Sequence, residues 1–440
     1  MSAAARQVGV QPARRTPWTI DAARLQRGVL WTFVACGASA SLEPSPYEFM
    51  FVAAALVFGW RGLQFDRAMI PLVVWLTLFN AGGLLSLAPF VDDSKSVTFI
   101  VISLYIALTA VFFAALVAQD PLERMRTIRS GYVMAAFAAA VLGVLGYFDV
   151  AGLGVHFTLY GNARASGPFK DPNVFGPFLV PAIVWLTQDI LLRRAGLWRT
   201  MIPLLTMLLA LLLSFSRGAW GACAGSIALL AILTFFTTPS AGLRQRIAVM
   251  TILGLVVLAA LLAIVLSIPE IRDMFEVRAS LNQYYDVGEL GRFGAQWRSI
   301  PLLLERPSGF GPLRFHTIFP AGEDPHEVYI NAFASYGWLG GLSFAAFTVA
   351  TLYVGWRLVF QRTPYQTEAI AVWSCLFAQM MQGFQIDTDH WRHLYLLFGA
   401  LYGLSAGARI SLARPRGNSR PAPDTQSVRS ATQATAKAMA

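Results

Sequence analysis

Apolar runs long enough to cross a bilayer recur through this chain, and they decide what it can fold into. In order they give twelve candidate spans, at about 28–41, 47–60, 68–90, 97–118, 131–150, 174–190, 200–214, 218–236, 247–268, 328–356, 367–384 and 394–412. A helical crossing takes about 20 predominantly apolar residues. The first two runs fall short of that, and Pro177 and Pro181 interrupt the sixth. The apolar residues come in blocks and do not alternate, which argues against a transmembrane β-barrel. Only 13% of the chain is charged, about half the share of a soluble domain. A soluble enzyme is all but excluded, and so is a nucleic-acid-binding or disordered chain, despite the net charge of +10. The expected fold class is all-α, a polytopic membrane protein of about 12 transmembrane helices.

The distribution of Lys and Arg sets the expected orientation. With both termini cytoplasmic, the cytoplasmic side carries 23 of these residues and the other side 11. Six of those eleven lie in one long segment, 269–327, and long loops obey the rule poorly. The short loops bearing Arg124, Arg126 and Arg129, and Arg193, Arg194 and Arg199, fix the assignment. The expected organisation is therefore a cytoplasmic segment over 1–27, nine spans within 28–268, a periplasmic loop over 269–327 and three spans within 328–412. The tail 413–440, rich in Ala, Ser, Thr, Pro and Arg, is expected to be disordered and cytoplasmic. No convincing cleavage site follows the first apolar run, which reads as a retained span. Cys36, Cys223 and Cys375 each sit inside an apolar run. Their number and spacing suggest neither a disulfide framework nor a zinc site.

Charges that run against burial cost and against the orientation rule are the informative ones. Five clusters of them fall on the same, non-cytoplasmic side. The first, Arg164 to Asn173, includes Lys170 and Asp171 and is forced into a non-helical path by Gly167, Pro168 and Pro172. An interfacial turn with Lys170 snorkelling is the plain alternative. In the second, Ser214-Phe-Ser-Arg217-Gly218, the connection between spans is almost absent. Arg217 therefore sits at the apolar boundary and needs an anionic partner, a phosphate or a distant carboxylate. Gly221 and Gly225 just beyond it read as a close helix-packing face. The third runs from Glu289 to Arg298, where Arg292 and Gln296 share a face if the stretch is helical, with Trp297 beside them. The fourth joins Gly309-Phe-Gly-Pro312 to Asp324-Pro-His326-Glu327-Val-Tyr329. At a helix start, the dipole keeps an imidazole such as that of His326 neutral, as a general base requires. The fifth, Asp387-Thr-Asp389-His-Trp-Arg392-His, contains a weak Asp-x-Asp match to a metal–nucleotide site.

No phosphate-binding Walker loop, dinucleotide fingerprint or zinc-protease motif occurs. Taken in order, the clusters resemble the O-antigen ligase/polymerase superfamily of bacterial envelope glycosyltransferases. The resemblance rests on Gly167-Pro-Phe-Lys-Asp-Pro-Asn173, Ser214-Phe-Ser-Arg-Gly218, Arg292 with Trp297, Gly309-Phe-Gly-Pro312, and His326-x-x-Tyr329 through Gly337-Trp-Leu-Gly340. The closing Asp389-His-Trp-Arg392-His also looks like members of that family.

The resemblance implies a GT-C-type architecture in the bacterial inner membrane, with the active site facing the periplasm. It implies transfer of a glycan from undecaprenyl diphosphate to an acceptor hydroxyl, with inversion and with no metal or other cofactor. Arg217 and Arg292 would hold the diphosphate and His326 would activate the acceptor. Arg164, Lys170, Asp171, Asn173, Trp297, Tyr329, Asp389 and Arg392 would line the substrate site. Glu327 departs from the family, many of whose members have Asn or Ser there. The expected partners are the lipid-linked donor, lipid A-core or a glycan as acceptor, and membrane lipids, without nucleic acid. A ligase to lipid A-core is the leading reading. The alternatives are an O-antigen or exopolysaccharide polymerase, or a protein O-oligosaccharyltransferase, using the same donor. A transporter fits less well, because no repeated halves are evident.

Overall fold

The computed structural model describes residues 21–41, 44–60, 62–159, 161, 163–279, 292–317 and 327–413. For residues 292 and 293 the description is of the backbone alone. Each of the twelve apolar runs coincides with a helix. The first five are α1 (Ala22–Ala35), α2 (Pro46–Gly59), α3 (Ile70–Leu87), α4 (Ser94–Gln119) and α5 (Pro121–Tyr147). A short helix α6 (Gly154–Phe157) and a minimal hairpin, β1 (Thr158–Leu159) with β2 (Arg164–Ala165), lead into α7 (Pro172–Leu192). There follow α8 (Leu197–Leu213), α9 (Arg217–Thr237) and α10 (Ala241–Val265). The segment between α10 and the next span carries α11 (Pro269–Ala279) and α12 (Arg292–Glu305). The chain closes with α13 (Val328–Val359), α14 (Gln366–Gln382) and α15 (Arg392–Ala413). The protein is an all-α, multi-pass membrane protein.

Among the described helices, eight are long and apolar enough to cross a membrane. The other four expected spans, α1, α2, α8 and α14, have 14 to 17 residues. At 1.5 Å per residue they reach about 21–26 Å, short of a hydrocarbon core of about 30 Å. The shortfall at α14 has a packing explanation. It lies in the interior, with Glu368 and Gln382 buried near its two ends, and so does not have to match the lipid.

Hydrogen bonds between distant loops fall into two sets. One set joins the connections after α2, α4, α7, α9 and α13 and the ends beside them. Arg27 pairs with Glu123 at 3.6 Å, Arg129 with Asp189 at 2.6 Å and with Glu368 at 2.9 Å, and Arg409 with Asp66 at 2.7 Å. Arg246 donates to the carbonyls of Ile190 and Leu191, at the end of α7. The other set joins the connections after α1, α3, α5, α8, α10 and α14. There Ala40 N–H donates to Pro168 O, Ser96 Oγ to Pro312 O, and Arg314 pairs with Asp93 at 3.1 Å. These sets are the two ends of an alternating bundle, called below the Glu368 end and the Arg217 end.

Small residues bring the helices together, though not where the sequence suggested. An added Cβ on Gly221 would meet nothing within 4 Å, and one on Gly225 would meet only Ala378 at 3.8 Å. The expected packing face at these two glycines is therefore corrected. The close face is Gly399, Gly403 and Gly407 on α15. A Cβ on Gly399 would lie 2.5 Å from Ala110 O, and one on Gly403 would lie 2.7 Å from Ala114 O, both on α4. Lipid supplies no hydrophobic drive between helices, so backbone approach of this kind supplies the attraction instead. The expected helix 328–356 forms, but it is interrupted. Gly337 takes φ 66° and ψ −174° and divides α13 into a short first piece and a longer second one.

Candidate active site

The Arg217 end is assembled around the C-terminus of α14. A helix end leaves its last carbonyls without partners, and here other elements supply the donors. Val328 N–H, opening α13, donates to Gly383 O at 3.0 Å. The Tyr329 hydroxyl donates to Met380 O at 2.9 Å, and Gln296 Nε2 on α12 to Phe384 O at 3.4 Å. On a further side, Gly218 of α9 lies so close that an added Cβ would sit 2.9 Å from Gln382 Nε2. One turn, Gln382–Gln385, thus brings the N-termini of α9, α12 and α13 to the same place. These are positive dipole ends, where anions bind well.

Arg217 is the first residue of α9 and is half-buried. Its position follows from a tight reversal. Phe215 takes φ 47°, so that three residues carry the chain from α8 into α9. The reversal is braced from within: the Trp220 indole donates to Leu211 O at 2.9 Å, and Arg164 Nε donates to Ser214 O at 2.9 Å. Arg164 Nη2 also donates to Asn173 Oδ1 at 2.8 Å, and Arg164 is 5% exposed. Arg164 and Asn173 thus hold the Arg217 turn together. Asp171 caps α7 by accepting from Asn173 N–H at 2.8 Å, while Lys170 is exposed at the surface.

Arg292 opens α12, so the stretch that carries it with Gln296 is helical, as the sequence suggests. Trp297 is 75% exposed on the same helix. His326 lies outside the described residues. Its neighbour Glu327 is the N-cap residue of α13 and makes no capping bond with its side chain. Burial raises the Glu327 carboxyl to about 7.

The Asp-Thr-Asp stretch is engaged with protein groups. Asp387 accepts from Asn331 Nδ2, and Asp389, 6% exposed, pairs with His390 Nδ1 at 3.0 Å. His390 Nε2 lies 3.1 Å from Phe99 O. Burial alone would lower the His390 pKa, but Asp389, Phe99 O and Asp387 outweigh it and hold the ring above its ordinary value. Arg392 donates to Ser45 Oγ at 3.2 Å and pairs with Glu48, which ties α15 to the capping box of α2.

Three polar residues at this end were not anticipated. Gln379 donates to Pro177 O at 3.0 Å, inside the proline-interrupted α7. Among the described residues, the buried Gln382 Oε1 has no hydrogen-bond partner. Glu48 anchors Arg392. Each is a polar residue within an apolar run, which is the signal that would have found it.

No curated protein matches the chain. Residues 202–345, from α8 into α13, match the model of the family described as O-Antigen ligase, and this segment is an O-antigen ligase-type domain of the ligase/polymerase superfamily that the motifs resemble.

Proposed function

We propose that the protein is an O-antigen ligase, which moves a glycan from undecaprenyl diphosphate to a hydroxyl of lipid A-core. The observation that carries this reading is the meeting of three helix N-termini, two of them opening with Arg217 and Arg292, at the end of α14. As the glycosidic C–O bond breaks, negative charge grows on the departing phosphate oxygen. Fixed guanidinium groups and helix dipoles stabilise that charge more in the transition state than in the ground state. A guanidinium also binds phosphate oxygens in pairs, as an ammonium does not. A lipid diphosphate is already activated, so the transfer needs no ATP. The two arginines offset the diphosphate charge, and in this proposal no metal takes part. His326 is assigned as the base that takes the acceptor proton, and attack from the far side of the anomeric carbon inverts it. The excess of Lys and Arg at the Glu368 end supports a cytoplasmic position for that end, with the reaction at the periplasmic face of the inner membrane.

The test is transfer by purified protein in detergent, with lipid-linked glycan as donor and lipid A-core as acceptor. Arg217→Ala and Arg292→Ala are each expected to lower turnover by about 10²-fold or more, with poor rescue by Lys. Chelation by EDTA is expected to leave the rate unchanged. Near-normal transfer by both correctly folded Ala variants would overturn the diphosphate site. Transfer to a second glycan but never to lipid A-core would replace the ligase with a polymerase.

A further inference from the structure

Two glutamines are buried in the last turns of α14, beside the place where the three helix N-termini meet: Gln379 is 0% exposed and Gln382 is 6%. The fold explains the first. Pro181 has no N–H, so Pro177 O lacks its usual helical partner within α7. Gln379 Nε2 supplies the missing donor at 3.0 Å. The second has no such explanation. Gln379 Oε1 and Gln382 Oε1 are both enclosed without a hydrogen-bond partner among the described residues, but the Gln379 amide is anchored by the bond it gives. An enclosed acceptor with no donor costs stability, so Gln382 is not placed there for the sake of the free protein.

The neighbouring helix makes room for it. A Cβ on Gly218 would lie 2.9 Å from Gln382 Nε2, 3.3 Å from its Cγ and 3.4 Å from its Cδ. Gly218 lies in the first turn of α9 and its φ is not positive, so no turn requires glycine there. Glycine is also a poor helix former. What it provides at this position is space for the Gln382 amide. Gly218 directly follows Arg217, and both are half-buried, so the amide lies at the edge of the site and not deep in the bundle. The torsion that turns a glutamine amide is soft, and Oε1 can swing towards a group arriving beside Arg217.

We propose that Gln382 recognises the sugar next to the diphosphate, its Oε1 accepting a hydrogen bond from a hydroxyl or N–H on C2 of that sugar. The proposal rests on the reading of the site as one for a lipid-linked glycan. An unpartnered acceptor needs a donor. A sugar diphosphate ester is ionised near neutral pH and offers only acceptor oxygens, and the hydrocarbon carrier offers neither. The sugar carries donors, and C2 is bonded to the anomeric carbon that bears the phosphate. A diphosphate held at the N-terminus of α9 therefore brings the C2 group next to Gly218 and Gln382. Gln382 is in this role a specificity-determining residue.

The experiment measures the affinity of the purified full chain in detergent for three radiolabelled undecaprenyl diphosphate sugars, bearing glucose, N-acetylglucosamine or 2-deoxyglucose. The tighter of the first two is expected to bind wild type about tenfold more strongly than the 2-deoxy compound, the worth of about one hydrogen bond. Gln382→Met keeps the length of the side chain and removes the acceptor. It is expected to abolish that tenfold preference while leaving the affinity for the 2-deoxy compound unchanged. Its Tm is expected to equal or exceed that of wild type, because Oε1 makes no bond in the free protein to lose. Equal binding of all three compounds by wild type would overturn the proposal without recourse to any variant. A Gln382→Met protein that lost affinity for all three alike, with a lowered Tm, would overturn it by marking a purely structural glutamine. Binding needs no acceptor, so the two readings fail separately. Binding that depends on C2, without transfer to lipid A-core, removes the ligase and keeps Gln382. Transfer to lipid A-core with binding indifferent to C2 removes Gln382 and keeps the ligase.

Discussion

Glu327 departs from the family that the motifs resemble, and its environment gives that departure a measurable consequence. The carboxyl is buried at the head of α13 and titrates at about 7, above an ordinary value of 4.5. Between those values the folded protein holds a proton that the unfolded chain has lost, so stability falls as pH rises through that window. The stabilisation is complete below the unfolded value and lost above the folded one. Glu327→Gln keeps the shape of the protonated acid and does not titrate. The variant is therefore expected to gain on the wild type by a few kcal/mol in order of magnitude between about pH 5 and pH 7. Thermal unfolding in detergent across that range checks this, and parallel curves would mean that Glu327 is solvated. Individual residues were unequally legible in the sequence. Arg217 stood out because a cation at an apolar boundary is costly wherever its partner lies. The bracing role of Arg164 could not be read, since it depends on Ser214 O, fifty residues away in the chain.

Among the elements, hydropathy located the helices of the twelve expected spans, because a helix within a bilayer has to be apolar along most of its length. Hydropathy carries less information about which faces meet, and there the reading failed. Gly221 and Gly225 have the spacing of a packing face, but Gly399, Gly403 and Gly407 are the residues pressed against α4. Any glycine pair four apart offers a groove, and only the tertiary arrangement decides which groove is filled. Gly403→Leu is therefore expected to prevent correct assembly, because even a Cβ there meets Ala114 O at 2.7 Å. Gly221→Leu points into open space and is expected to leave the yield of monodisperse protein unchanged. Size-exclusion profiles of the two variants make the comparison, and equal behaviour would refute this packing. The break in α13 escaped the sequence for a similar reason. Gly337 sits in an apolar run that reads as continuous, yet a Cβ there would lie 2.8 Å from Pro307 O.

The two ends of the whole molecule serve different purposes. At the Arg217 end, the N-termini of α9, α12 and α13 meet, an arrangement suited to an anionic ligand. At the Glu368 end, opposite charges neutralise one another within the protein. Glu368 accepts from Arg129 at 2.9 Å and 3.0 Å and from Arg194 at 2.7 Å, and Asp189 takes the other side of Arg129 at 2.6 Å. Side-chain exposure is 9% for Glu368 and 12% for Arg129, so water screens this network little. Replacing a buried pair with apolar groups can cost nothing, but removing one partner leaves an uncompensated charge and costs about 3–5 kcal/mol. Glu368→Ala leaves Arg129 with Asp189 and takes from Arg194 its ion pair with Glu368, and the expected result is a large fall in thermal stability. The proposed site lies at the opposite end of the bundle, so kcat at low temperature should survive in whatever protein remains folded. Loss of kcat without loss of stability would instead mean that the network acts on the reaction directly. In the proposed orientation the charge bias puts this end on the cytoplasmic side. A tag at residue 300 and one in the C-terminal tail should therefore report opposite sides of the membrane, and the same side for both would undo the alternating arrangement on which the site's position depends.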